Sequence, residues 1–314
     1  MRRLVARAPT RIDFGGGWTD VPPWPAVHEG FVCNMAIGRH ATVTVRDGTD
    51  APHHSAPLVA AALRRAGVDD ARVELTSDFP VGSGLGGSSA AGVALAGALA
   101  GWRGESLSRV ELAELSCNTE RSDLGIAGGS QDHYAAAFGG VLALRFREAA
   151  IDVEEIRVSP ALGAELGRRC LVWFTGESRI SAQQIEVVVD AMRAGNERVV
   201  RLLAGMKRCA IGMAEALHTA ALDELGALVG EHWSLQRALH PSITTDTIEA
   251  MCDRAYANGA LGFKALGASG GGCVLAIARA DRVDALREAM ADLAEPLDYT
   301  LDRTGFRVEE DARD

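Results

Sequence analysis

A glycine-rich run at residues 80–90, PVGSGLGGSSA, limits the folds open to this chain more than any other segment. It follows a strand-like stretch, Arg72–Thr76, and leads into Ser88–Ala100, whose Ala, Leu and Val content predicts a helix. At a strand-to-helix turn, free backbone N–H groups and the positive end of the helix dipole can surround a phosphate group. We therefore predict phosphate contacts from Pro80, Gly82, Ser83, Gly84, Leu85, Gly86, Gly87, Ser88 and Ser89. One of the two serines is also expected to cap the helix.

Three other interpretations of this run compete. A Walker A loop needs a Lys after its last glycine, and none follows here. A dinucleotide fingerprint matches the bare pattern of Gly82, Gly84 and Gly87, with Glu105 as the ribose-binding acid, but Glu105 falls in a predicted helix-to-helix loop. A glycine-rich turn can also do no more than let a helix pack closely on a sheet. The glycine-rich run alone therefore excludes neither the dinucleotide fingerprint nor the purely structural turn.

Three further segments form a constellation with this run: APTRIDFGGGWTD at residues 8–20, GGSQDHY at 128–134 and KALGASGGG at 264–272. Their order and spacing resemble the GHMP family of small-molecule kinases, which includes galactokinase, homoserine kinase, mevalonate kinase and phosphomevalonate kinase. The resemblance spans nearly the whole chain. The first two segments are most similar to those of bacterial D-glycero-D-manno-heptose 7-phosphate kinases and the related L-fucokinases.

The periodicity of the sequence changes near residue 175. Strand-like and helical patterns are mixed before it, whereas residues 181–258 are almost entirely helical in pattern. Short strand-like segments follow around 262–265 and 273–278. With the resemblance, this implies an α+β fold of two lobes: an N-terminal α+β lobe at residues 1–174 with the nucleotide loop and the catalytic Asp, and a C-terminal lobe at 175–314 with helices over an antiparallel sheet.

Composition excludes several classes of protein. The formal net charge of −10 over 314 residues argues against binding to nucleic acid or to an anionic membrane. No signal-peptide pattern and no apolar stretch of about 18 residues is present, so we expect a soluble, cytoplasmic protein. The six cysteines lack zinc-site spacing, and any metal should be held by oxygen atoms. The expected partners are ATP and a small-molecule sugar or sugar phosphate; the oligomeric state stays open, with a homodimer as one option.

Candidate catalytic groups follow from the chemistry of phosphoryl transfer, which needs Mg²⁺ and a positioned hydroxyl. Mg²⁺ prefers oxygen ligands, and Ser88 with Glu120 would supply a hydroxyl and a carboxylate. Asp132 follows a glycine-rich turn at a helix start, where N–H groups keep a carboxylate anionic. The resemblance implies that Asp132 is the base or orients the nucleophile, and that Arg11 approaches Asp132 and the transferred phosphate. The alternatives are a solvated helix-face acid at Glu120, an ordinary helix N-terminal acid at Asp132 and a strand-edge cation at Arg11.

Candidate sugar-binding residues lie in the N-terminal motif and in later loops. Asp20 can accept hydrogen bonds from hydroxyls, and glycines let the backbone approach a ligand. Trp18 would stack on a sugar ring or fill the lobe interface. Arg179 would meet an anionic substituent or lie on the surface beside a helix. The predicted substrate-binding set is Gly16, Gly17, Trp18, Asp20, Gly129, Arg179, Gly270 and Gly271.

The sequence thus favours an ATP- and Mg²⁺-dependent sugar kinase. By resemblance, the expected reaction phosphorylates the anomeric hydroxyl of D-glycero-D-manno-heptose 7-phosphate for GDP-heptose synthesis. L-Fucokinase, or another sugar 1-kinase, is the alternative within this class. A non-catalytic ligand-binding relative and an NAD-dependent oxidoreductase are alternatives from other classes.

Overall fold

The computed structural model describes residues 2–48, 56–177 and 182–310. The strands are β1 Arg3–Gly15, β2 Gly30–Asp47, β3 Ala71–Ser77, β4 Val141–Phe146, β5 Ile151–Ile156, β6 Cys170–Phe174, β7 Ala260–Ala265, β8 Cys273–Ala278, β9 Glu295–Pro296 and β10 Arg307–Glu310. The helices are α1 Trp24–His28, α2 Pro57–Ala66, α3 Gly87–Trp102, α4 Arg109–Asn118, α5 Gln131–Phe138, α6 Pro160–Arg169, α7 Ala182–Arg193, α8 Glu197–His218, α9 Leu222–Arg237, α10 Asp246–Ala257 and α11 Val283–Met290. A π-helical turn at Thr119–Asp123 extends α4, and a 3₁₀ turn lies at Pro241–Ile243.

Within these residues the strands form two sheets. The six-stranded sheet has the order β10-β1-β2-β4-β5, with β3 also paired to β2, and the four-stranded sheet has the order β7-β8-β6-β9. Every pairing between described strands is antiparallel. A dinucleotide-binding fold needs parallel strands around its glycine loop, so the NAD-dependent oxidoreductase alternative is wrong.

Helix α3 fills the space behind the first sheet. It is buried without a break from Ser89 to Ala100, and it contacts β1, β2, α2, α4 and α5. Ala and Gly supply most of its sequence, and their small side chains let these neighbours approach from all sides. The N-terminus of α3, which directly follows the glycine loop, is therefore held rigidly in place.

The two sheets share part of their core. One cluster of buried side chains joins Ile12 and Phe14 of β1 to Leu225 of α9 and Leu275 of β8. Helices α8 and α9 pack on each other, α8 also contacts β1 and β2, and α9 covers β7. The two sheets consequently share one continuous apolar core. This core fixes the groups of the site relative to one another.

The predicted α+β class, with helices over an antiparallel sheet in the second half, is confirmed. Helix α6 and strand β5 were not predicted, and the division after residue 174 stays a prediction. The sheets themselves cross that division in both directions, because β6 joins the second sheet and β10 returns to pair with β1. In the part of the chain that the structure describes, no helix is both long and apolar enough to span a membrane.

Candidate active site

A cavity of about 650 Å³ lies between the glycine loop, the start of α5 and the segment after β1. The N-terminus of α3 opens onto it, with Gly87, Ser88 and Ser89 in the lining. No described side chain caps this helix, contrary to the expected serine cap, and its first internal bond joins Ala90 N–H to the Gly86 carbonyl at 3.0 Å. Unbonded N–H groups at a helix start attract an anion.

Arg11 and Asp132 form a two-bond ion pair at the centre of the lining. Arg11 Nε donates to Asp132 Oδ1 at 2.7 Å, and a terminal guanidinium nitrogen donates to Oδ2 at 2.8 Å. The third nitrogen donates to the Gly84 carbonyl at 2.7 Å, which ties the pair to the glycine loop. Gly86 sits so close that a Cβ there would lie 3.0 Å from Asp132 Cγ. The carboxylate is thus fixed directly beside the predicted phosphate site.

The predicted metal ligands are neighbours. The Ser88 hydroxyl donates to Glu120 Oε1, and His133 Nε2 lies 3.2 Å from Glu120 Oε2. Burial opposes ionisation of Glu120, but the contacts with His133, Ser88 and Arg121 outweigh it, and the pKa of Glu120 is lowered. Glu120 sits in the π-helical turn after α4, and such turns are frequent at functional sites. A hydroxyl and an ionised carboxylate together suit Mg²⁺.

The side chain of Ser89 contacts His133, whereas that of Ser88 contacts Glu120. The Ser89 side chain is buried, and its Oγ lies 3.3 Å from His133 Nε2, while the other ring nitrogen of His133 lies 2.9 Å from Ser116 Oγ. Of the two serines in the loop, Ser88 is therefore the one whose hydroxyl is available next to Glu120. His133 contacts the Glu120 carboxylate through its Nε2 atom.

Asp20 is the best-defined polar group of the predicted sugar-binding set. Its Oδ2 accepts a hydrogen bond from Gln131 N–H at 3.0 Å. A Cβ at Gly129 would lie 1.9 Å from the same oxygen, so only glycine allows Asp20 into this position. Burial raises the pKa of Asp20 to about 6, and the charges of Asp132 and Asp13 add to the rise. The carboxylates of Asp13, Asp20 and Asp132 thus line one region of the cavity.

Two polar residues of this region were missed from the sequence. Asp13 lines the cavity, and its Oδ2 accepts a hydrogen bond from Lys264 Nζ at 3.0 Å. Lys264 lies on β7, and the sequence placed it only at the start of a glycine motif. The nearby His232 Nε2 accepts from Gly16 N–H at 2.8 Å, and burial lowers the pKa of His232 to about 3, so this ring is neutral. Because 251 residues separate Asp13 from Lys264, no local pattern in the sequence indicated this pair.

The lining also has an apolar region that was missed. It comes from the strand edges and helix that surround the glycine loop, and its members are Ala41, Leu58, Leu75, Phe79 and Val81. Phe79 packs beneath the loop, where a Cβ at Gly87 would lie 2.3 Å from its ring. A flat apolar group could be held here, next to the anion-attracting start of α3.

Not all predicted residues reach the cavity. Most of the predicted set lines it: Arg11, Gly17, Trp18, Asp20, Pro80, Gly82, Ser83, Gly84, Gly86, Gly87, Ser88, Ser89, Glu120, Gly129 and Asp132. The lining does not include Gly16, Leu85, Gly270 and Gly271. Arg179 lies outside the described residues.

The late glycine motif packs against other loops. Gly270 N–H donates to the Ile243 carbonyl at 2.9 Å, and Cys273 N–H donates to the Ser83 carbonyl at 2.7 Å. Gly267 and Ala268 are the members of this motif that line the cavity. The motif therefore supports the glycine loop from the side of the second sheet, and substrate binding by Gly270 and Gly271 stays a prediction.

The fold and the site together are those of a small-molecule kinase: a helix start with unbonded N–H groups, a fixed carboxylate–guanidinium pair and a hydroxyl–carboxylate pair surround one cavity. Residues 55–140 match the GHMP kinases N terminal domain, and residues 213–295 match the GHMP kinases C terminal domain. The chain belongs to the GHMP kinase family and is an ATP-dependent enzyme of that family.

Individual relatives agree with this assignment. The chain is 31% identical to a D-glycero-alpha-D-manno-heptose 7-phosphate kinase of Campylobacter jejuni over 87% of this chain and 88% of that protein. It is 27% identical to the bifunctional fucokinase/GDP-fucose pyrophosphorylase of Arabidopsis thaliana over 94% of this chain, but spans 32% of that longer protein. The crystal structure of a D-glycero-D-manno-heptose 1-phosphate kinase from "Bacteriodes thetaiotaomicron" superposes with a TM-score of 0.80 at 21% identity, covering 99% of this chain and 100% of that one. The similarity to this crystal structure, at 21% identity, shows a shared fold.

Proposed function

We propose that this enzyme is an ATP- and Mg²⁺-dependent sugar kinase that phosphorylates the anomeric hydroxyl of D-glycero-D-manno-heptose 7-phosphate. The observation that carries the proposal is the Arg11–Asp132 pair, because it fixes a carboxylate beside the start of α3, between the phosphate site and the carboxylates of Asp13 and Asp20. An acceptor hydroxyl held there would face the transferred phosphoryl group.

The nucleotide is proposed to lie along the glycine loop. The apolar region around Phe79 and Leu75 suits the adenine ring, and the N–H groups at the start of α3 suit the phosphates. Ser88 and Glu120 would hold Mg²⁺, since their oxygens meet at this helix start. When bound, the ion would reduce the negative charge of the phosphates.

The chemical step forms an O–P bond from the acceptor hydroxyl to the γ-phosphorus and breaks the bond from that phosphorus to the β-phosphate oxygen, releasing ADP. Asp132 accepts a hydrogen bond from the hydroxyl and orients its oxygen; the hydroxyl proton passes to the carboxylate as the O–P bond forms. Arg11 holds Asp132 through two bonds and places positive charge beside the phosphoryl group, where charge develops in the transition state.

The choice of acceptor rests on the relatives and on charge. The heptose 7-phosphate kinase of Campylobacter jejuni matches at higher identity than the plant fucokinase does. A sugar phosphate also requires a cation in its pocket, because burying a phosphate without one is prohibitive. Arg179 is the proposed cation, as it follows strand β6 of the second sheet in sequence. L-Fucose, which needs no such cation, is the alternative acceptor.

The test is an acceptor panel. The enzyme is incubated with ATP and Mg²⁺ and with D-glycero-D-manno-heptose 7-phosphate, unphosphorylated heptose or L-fucose, and ADP release is followed. The proposal expects the highest kcat/KM for the heptose 7-phosphate, with the new phosphate on the anomeric carbon by phosphorus and carbon NMR. Equal or higher efficiency on an unphosphorylated sugar would reject this acceptor in favour of a fucokinase-like one.

A further inference from the structure

Lys264 is a charged residue that the proposed chemistry does not use. Its side chain is 0% exposed, and its ammonium group donates to Asp13 Oδ2 at 3.0 Å. The Phe14 carbonyl lies 3.5 Å from the same nitrogen. Lys264 belongs to β7 of the second sheet and Asp13 to β1 of the first, so the pair joins the two sheets at the cavity wall.

Stability does not account for this pair. Removing a Lys and an Asp from water costs several kcal/mol for each ion, and their mutual attraction often does no better than balance that cost. A pair of apolar residues of similar volume would hold the same seam as well or better. A buried ion pair at a cavity wall is therefore better explained by a task that needs the charge of one partner.

One carboxylate oxygen of Asp13 is free to accept a hydrogen bond from a ligand. Oδ1 is buried and has no hydrogen-bond partner among the described residues, while Oδ2 accepts a hydrogen bond from Lys264. Trp18 lines the same cavity, and its indole N–H is also buried without a partner in the part of the chain that the structure describes. Leaving such groups unpaired costs about 1–3 kcal/mol each. An unpaired acceptor and an unpaired donor in one cavity wall match a ligand that carries hydroxyl groups.

We propose that Asp13 binds a hydroxyl of the acceptor sugar through Oδ1, and that Lys264 is the positioning residue that holds this carboxylate in place and charged. The inference rests on the proposed sugar kinase function and deepens it. Trp18 N–H would donate to an oxygen of the same sugar. Asp13 thereby joins Asp20 as a second carboxylate that selects a polyhydroxylated acceptor.

The charges around Asp13 agree with this role. Burial opposes its ionisation, but the positive charges of Lys264 and Arg11 outweigh burial, and the pKa of Asp13 is lowered. Arg11 is already bonded to Asp132 and Gly84, so Lys264 is the cation that contacts Asp13 directly. Loss of the Lys264 charge should therefore weaken Asp13 as an acceptor without touching the nucleotide loop.

The experiment compares Lys264→Met, Asp13→Asn and the double variant with wild type. For each, we would measure acceptor KM and kcat by ADP release, ATP affinity by calorimetry and Tm. Arg169→Met is the matched control, because Arg169 is also a buried cation, bonded to Asp223 and to the Ala278 carbonyl, but does not line the cavity.

Lys264→Met should raise acceptor KM at least about tenfold, as expected for weakening a hydrogen bond to a charged group, with ATP affinity within about twofold of wild type. The double variant removes both charges, so its Tm should exceed that of either single variant while its acceptor KM stays raised. The control should lower Tm and leave acceptor KM unchanged.

Two results would overturn the inference while the proposed function stands: an unchanged acceptor KM in Lys264→Met, or a double variant whose acceptor KM returns to the wild-type value along with its Tm. The second result would assign the pair a purely structural role. A wild-type enzyme that phosphorylates none of the sugars would reject the proposed function and this inference together.

Discussion

Replacing Asp132 by Asn is the most direct test of the active site, because the substitution keeps the shape of the side chain and removes its charge. In the wild-type enzyme both carboxylate oxygens accept from Arg11, at 2.7 and 2.8 Å. The amide of Asn has a single acceptor oxygen, so one of these bonds becomes an N–H facing an N–H. The guanidinium of Arg11, whose side chain is 4% exposed, also loses its counter-ion.

Two magnitudes follow from this geometry. Breaking one partner of a fully buried pair costs about 3–5 kcal/mol, and since the Asp132 side chain is 24% exposed we expect a loss nearer to about 2 kcal/mol in the free energy of unfolding. Loss of a general base reduces kcat by about 10²–10⁴-fold, which equals about 3–5 kcal/mol of transition-state stabilisation. ATP affinity should stay near the wild-type value, because Asp132 acts on the acceptor.

The assay is ADP release at saturating acceptor, with ATP affinity by calorimetry and unfolding by denaturant on the same preparation. Glu165→Gln is the matched control: Glu165 also accepts two bonds from one guanidinium, that of Arg168, at 2.9 and 2.7 Å, but on an exposed face of α6. Its kcat should equal that of wild type. A loss of kcat below about tenfold in Asp132→Asn would refute a catalytic role and leave Asp132 a structural partner of Arg11.

Three further outcomes are expected. Ser88→Ala and Glu120→Gln should each raise the Mg²⁺ concentration needed for half-maximal activity, and the double variant should cost less than the sum, because both act through one ion; strictly additive losses in a Mg²⁺ titration would contradict a shared site. Arg179→Ala should raise KM for heptose 7-phosphate with kcat nearly intact, since a contact to the remote phosphate persists in ground and transition states; an unchanged KM would exclude that contact. Because the pKa of Asp20 is raised to about 6 by burial, the acceptor kcat/KM should fall as pH drops through about 6, where protonation removes a hydrogen-bond acceptor, and Asp20→Asn should abolish this acid limb in a pH–rate profile.

Local patterns were sufficient for most of the secondary structure and for the start of the site. The strand before the glycine loop and the long helical region of the second half have strong periodicity, and the helix after the loop is rich in Ala and Leu. Both signals depend on near neighbours in the chain. Strand β5 was missed because it is short and largely exposed, so its apolar pattern is weak. Helix α6 was missed although its buried residues Leu162 and Leu166 lie at helical spacing. The family resemblance is confirmed, and it brought Arg11 together with Glu120 and Asp132, which follow Arg11 by more than 100 residues in the sequence.

By itself, therefore, the sequence determined the fold class and the family, because short motifs carry that information in consecutive positions. The same motifs predict the residue types of a phosphate site and a metal site. Only the tertiary structure decided which groups meet across the two sheets. Lys264 reaches Asp13, Gly129 makes room for Asp20, and Gly270 turns away from the cavity, all through contacts between segments more than 100 residues apart or through loop packing. Such contacts depend on strand register and on the shared apolar core, which no local pattern specifies.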